Sequence, residues 1–147
     1  MGNPEADFFI LALYLHYMNE KFPSAEKLKS KILIDKLFAE GKSLNKFPLK
    51  LIYTPIANDE IPNHKTGVSV PKRNFKKAVD RNYFKRLMRE AFRKNKYLVD
   101  NNLPRKFAFM FIYTGQKRFG YLDIENAVKD IIKKLIEREG NHEKHDN

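Results

Sequence analysis

Residues Phe107–Tyr113 read FAFMFIY, a run that is apolar on both of its alternating sides. Successive side chains of a strand point to opposite faces, so such a run needs cover from above and below. That is the pattern of a central strand buried on both sides of a sheet. At 147 residues the chain is long enough to build that cover from one domain without covalent staples.

The flanking pattern supplies the other elements. Residues 25–40 read as a helix that follows Pro23, with Ser24 near the N-cap and Gly41 as the C-terminal stop. Its apolar contacts are Leu28, Ile32, Leu33, Leu37 and Phe38, with Ile34 on a flank beside Phe38. Residues 47–56 alternate Leu49, Leu51 and Tyr53 with Lys50 and Ile52, as a strand does; 57–65 read as a turn-rich loop, and 66–71 as the next strand, with Val68 and Val70 on one face. A helix over 77–97 is ended by Asn101, Asn102 and Pro104. Asp123 is expected to cap a last helix whose Ile124, Ala127, Val128, Ile131, Ile132, Leu135 and Ile136 follow helical spacing. The expected architecture is α/β (α+β, two-layer), in the order α-β-β-α-β-α. One domain over 24–139 carries an N-terminal extension (1–23) and a disordered polar tail (140–147).

Composition excludes several chemistries. The absence of Cys rules out disulfides, thiol catalysis and zinc ribbons, and suits a reducing cytoplasm. His16, His64, His142 and His145 are too scattered for a metal site. The apolar run FFILALYL at 8–15 falls far short of the roughly 20 residues that span a bilayer. It also lacks the basic start and small-residue cleavage site of a secretory signal. Asp123 and Glu125 stand where a helix dipole favours acids, and Asp59 and Glu60 have no third acid nearby. No carboxylate cluster or His pair suggests a catalytic residue, so the protein is expected to have none.

Charge is concentrated in one place. Residues 72–96 hold eleven Lys or Arg against Asp80 and Glu90, a net of +9, whereas the whole chain is +11. On a helix, Arg81, Lys85, Arg89, Asn82, Arg93 and Arg86 fall within an arc of roughly 140°. Phe84, Leu87, Met88, Ala91 and Leu98 occupy the opposite side, which must pack inward. Like charges at i,i+4 cost a few tenths of a kcal/mol per pair, and solvated faces usually mix signs. A face that keeps one sign therefore points to an external polyanion.

A membrane surface would need the apolar side that the core requires. A small phosphate ligand would need a Gly-rich loop before a helix, and none is present. Extended nucleic acid remains. Arg suits it because guanidinium binds phosphate in two parallel bonds and stacks on bases, and Asn82 can address a base edge or a 2′-hydroxyl.

The run AVDRNYFKRLMREAFR at 78–93 resembles the signature of the bacterial ribonuclease P protein subunit. The preceding VSVPKRNFKKA resembles that family's strand and basic loop, and LIDKLFAEGKS its first helix; together the likeness covers about residues 28–138. The resemblance implies that Arg81, Asn82, Lys85, Arg86 and Arg89 form the family's RNR motif, continued by Glu90, Phe92 and Arg93. It implies a ribosomal-protein-S5-domain-2-like fold with a left-handed βαβ crossover, against the usual rule. The implied partners are the catalytic ribonuclease P RNA, bound by Arg81 to Arg93, and precursor tRNA, with neither a membrane nor an obligate protein partner. Mg²⁺, bound mainly by the RNA, would perform the hydrolysis.

By position, the resemblance puts Ile34, Phe38, Lys50, Ile52, Lys72 and Arg73 in a cleft for the single-stranded 5′ leader of precursor tRNA. Two positions depart from the family pattern. Ile34 stands where Phe is frequent, and Tyr113 followed by Thr114 stands where an Arg is frequent. Tyr113 is thus expected to add stacking to the cleft. Two other readings of the charge are a non-catalytic ribosomal or assembly protein and a DNA regulator using the major groove.

Overall fold

The computed structural model describes residues 26–57 and 63–140. Its elements are α1 (Lys31–Glu40), β1 (Lys42–Lys46), β2 (Leu49–Pro55), β3 (Lys65–Ser69), α2 (Ala78–Asn102), β4 (Phe107–Tyr113) and α3 (Tyr121–Glu139). The expected extension, the Ser24 cap, the middle of the 57–65 loop and residues 141–147 lie outside the described residues. The strands form one sheet in the order β1-β2-β4-β3. β4 runs antiparallel to β2 and parallel to β3, which it reaches through α2. The apolar run is therefore central, as its two-sided pattern requires, and six of its seven residues are buried.

Alternation divides the sheet into two faces. Leu49, Leu51, Tyr53, Phe107, Phe109, Phe111 and Tyr113 point to one face, where the buried sides of α2 and α3 complete the main core. Ala108 and Met110, with the half-buried Ile52 and Ile112, point to the other, where α1 covers part of them with Leu37, Leu33 and Ile34.

Three boundaries differ from the sequence expectation. The first helix starts at Lys31, capped by Ser30 Oγ accepting from Leu33 N–H at 3.3 Å, six residues later than its pattern suggested. The chain before it pairs with the β3 edge instead: Lys27 bridges Thr66, and Leu28 N–H donates to Thr66 O at 2.9 Å. Ile32 and Phe38, expected as packing residues, are 81% and 58% exposed. The second helix continues to Asn102, whose side-chain amide donates to Leu98 O. The last begins after Gly120, which leaves Asp123 inside its first turn rather than at the cap.

One strand was not expected. KSLNK (β1) has a single buried residue, Leu44, and so carries no strand signal of its own. It forms because its antiparallel partner lies just across the turn at Phe47–Pro48, a cis peptide bond. Gly41 joins α1 to β1 where nothing larger fits. A Cβ there would lie 2.4 Å from Leu37 O and 2.6 Å from Ile52 Cγ2.

Candidate nucleic-acid interface

The helix α2 is buried on two sides, against the sheet and against α3, which fixes its cationic face outward. Phe84, Leu87, Met88 and Ala91 are fully enclosed. The six predicted residues divide once their partners are known. Arg93 donates through Nε and Nη2 to both oxygens of Glu90, at 2.9 and 2.8 Å, and Glu90 is only 4% exposed. Arg81 Nη1 donates to the carbonyls of Phe75 and Lys76 at 2.9 and 2.7 Å. These two arginines brace the fold. The other acid of the basic segment, Asp80, is taken by Arg118 from the loop after β4.

Neither acid therefore neutralises the centre of the face. Among the described residues no acidic side chain pairs with Lys85, Arg86 or Arg89, and Asn82 is exposed beside them. Burial, and then the charge of Arg86, push the pKa of Arg89 below the usual guanidinium range. A phosphate at this seam would relieve both effects.

The loop 70–77 presents a second set of cations on a rigid base. Phe75 packs on Phe84 and Tyr113, with ring centroids 4.7 and 5.6 Å away. Asn74 Nδ2 donates to Tyr113 O and Gly115 O at 3.3 and 3.2 Å. Lys72 and Arg73, just before these anchors, stay exposed. The cross-strand row Lys50–Ile112–Ser69 lies at the same end of the sheet and on the α1 face. Beside it runs the row Ile52–Met110–Gly67. Ile34 and Phe38, four residues apart on α1, share one side of that helix. The α1 face of the sheet thus carries apolar Ile52, Met110 and Ile112, with Lys50 in the row nearest Lys72 and Arg73, where the resemblance places a groove for a single strand.

Tyr113 does not belong to it. It pairs with Leu49 and so points to the opposite face, where it is fully buried. Its hydroxyl donates to Lys117 O at 2.7 Å and accepts from Phe119 N–H at 3.1 Å, and burial raises its pKa. The period of two in FAFMFIY already grouped Tyr113 with Phe107, Phe109 and Phe111. Ile112 is the residue that reaches the groove.

Lys27 and Lys29 carried no motif in the sequence. A cleft of about 430 Å³ at the β3 edge is bounded by Lys27, Lys29, Ile34, Thr66, Gly67, Arg89, Phe92 and Met110, among others. Only the pairing of residues 27–28 with β3 brings these lysines beside Arg89. Among the described residues no three His, Asp or Glu side chains gather as a metal site. No described helix is long and apolar enough to cross a membrane.

Known proteins match this arrangement. The family model for ribonuclease P matches residues 22–137. The ribonuclease P protein component of Porphyromonas gingivalis W83 is 32% identical over 120 residues, covering 80% of this chain and 85% of that protein. The corresponding protein of Borreliella burgdorferi is 33% identical over 107 residues, covering 71% and 85%. Among solved structures, a mutant Staphylococcus aureus RNase P protein superposes with a TM-score of 0.62 at 26% identity, covering 84% of this chain and 96% of that one. The Thermotoga maritima RNase P protein gives 0.60 at 24% identity, covering 74% and 96%. Family model, relatives and fold agree: the chain belongs to the ribonuclease P protein component family.

Proposed function

We propose that the protein acts in a ribonuclease P holoenzyme by binding two RNAs on two surfaces. The outward face of α2, centred on Asn82, Lys85, Arg86 and Arg89, takes the catalytic RNA. The groove beside α1 takes the 5′ leader of precursor tRNA, between Phe38 and Ile34 on one side and Lys50, Lys72 and Arg73 at its end. Hydrolysis belongs to Mg²⁺ held by the RNA. The protein screens phosphate repulsion and orients the leader so that the scissile bond lies in the RNA's site.

One observation carries this reading. Both acids of the basic segment are committed to other arginines, so Lys85, Arg86 and Arg89 form a block of uncompensated charge on a rigid helix. The test adds purified protein to its cognate ribonuclease P RNA and a precursor tRNA at low Mg²⁺. Faster 5′ cleavage than by RNA alone is expected. Unchanged cleavage would overturn the reading and favour an RNA-binding role outside tRNA maturation.

A further inference from the structure

At the end of the sheet away from Lys50 and the loop 70–77, where β2 finishes and β3 begins, an open groove of about 580 Å³ lies against α1. Leu28, Ile32, Leu33 and Ile56 supply its apolar floor. Ile32 is 81% exposed, the highest value among the described large apolar side chains. Four lysines, Lys27 and Lys36 among them, surround that floor, and no acidic side chain lines it among the described residues. An exposed apolar patch with a polar rim marks a docking surface.

The same chain holds a segment of matching chemistry. FFILALYL at 8–15 is eight apolar residues in a row, and it precedes residues 22–137, which match the family model. Residues 1–25 carry three acids, Glu5, Asp7 and Glu20, against one base, Lys21, in a chain of net charge +11. The point of attachment also fits. Residues 27–30 form one wall of the groove, so the run is joined to that wall by residues 16–26. Such a tether can span up to roughly 35 Å. It also holds the run at an effective concentration on the order of millimolar, so a modest contact suffices.

We propose that the apolar run Phe8–Leu15 docks in this groove of its own chain, with Glu5 and Asp7 at the lysine rim. Its side chains cover Ile32 and its neighbours, and the contact clamps residues 27–30 and the first turn of α1. An RNA strand is the weaker occupant, because the groove offers aliphatic side chains but neither an aromatic ring nor an Arg to stack on a base. A second copy of the chain would have to displace the tethered run.

The chain has no Cys, so introduced pairs report proximity directly. Two-cysteine variants of the full chain combine Ile32→Cys or Lys31→Cys with Phe9→Cys, Leu11→Cys or Leu13→Cys, and disulfide formation is timed in a glutathione buffer. Ile32 and Lys31 are both exposed, so the variants keep the fold, and both lie at the same tether length. They stand about 100° apart on the helix. Only Ile32 lines the groove. For at least one position in the run, the disulfide within one chain should form about tenfold faster with Ile32→Cys than with Lys31→Cys. Equal or reversed rates would reduce the contact to random collision of a tether and overturn the proposal. Slow formation at both positions would leave the groove to another molecule and overturn it as well. Disulfides between chains, rising with protein concentration, would assign the groove to a second copy and overturn it too.

Discussion

Arg93 grips Glu90 one turn back on α2 through two parallel hydrogen bonds, at 2.9 and 2.8 Å, and the carboxylate is almost wholly enclosed. A buried carboxylate that loses its partner keeps its desolvation penalty. Arg93→Ala should therefore cost about 3 kcal/mol of stability. Glu90→Gln, which retains an acceptor, should cost less. Urea denaturation of both variants checks the order, and equal losses would mean that the pair is not what holds the carboxylate.

The cations at the centre of the face should behave differently. Arg86→Ala and Arg89→Ala are expected to leave the urea midpoint nearly unchanged. Each should lower the salt slope of binding to ribonuclease P RNA by roughly 1. Filter binding across a salt series measures this, and unchanged slopes in both variants would move the contact elsewhere.

Phe38 and Tyr113 separate groove from core. Phe38 is 58% exposed, so Phe38→Ala should leave stability within about 0.5 kcal/mol. It should raise KM for precursors with leaders while sparing mature tRNA binding. Tyr113→Phe removes a hydroxyl that bridges Lys117 O and Phe119 N–H, costing about 1 kcal/mol, with no leader-dependent change in KM. A leader effect in Tyr113→Phe would contradict its placement on the core face.

His64 makes stability fall in mild acid. Its Nδ1 accepts from Phe107 N–H at 3.0 Å, and burial, followed by the charge of Lys106, holds its pKa down at about 4. The unfolded chain takes up the proton near 6.5, before the folded one does. The stability is complete above that pH and declines as pH drops towards 4, with about 2 kcal/mol gone by pH 5. Urea midpoints at pH 7, 6 and 5 should show the decline, and His64→Asn should flatten it.

Much of this arrangement was written locally. The two-sided run at Phe107–Tyr113 identified the central strand, and helical spacing placed the buried side of α3. The spacing of Arg81 to Arg93 set one face outward before any packing was known. Strand β1 was illegible because KSLNK has one apolar residue, and an edge strand needs a neighbour rather than a pattern. The start of α1 was misread because residues 27–28 have helical spacing but gain more by pairing with Thr66.

By itself the sequence determined which residues are apolar at which period, where positive charge gathers, and hence that the chain has a two-faced sheet and an outward cationic helix. The tertiary structure decided which cations remain available. Glu90 and the Phe75 and Lys76 carbonyls claim Arg93 and Arg81, and Arg118 arrives from 38 residues away to claim Asp80. Strand parity turned Tyr113 into the core, and β pairing carried Lys27 to Arg89. Spacing fixes direction around one element, but partners come from other elements, and only their packing says which charges are already satisfied.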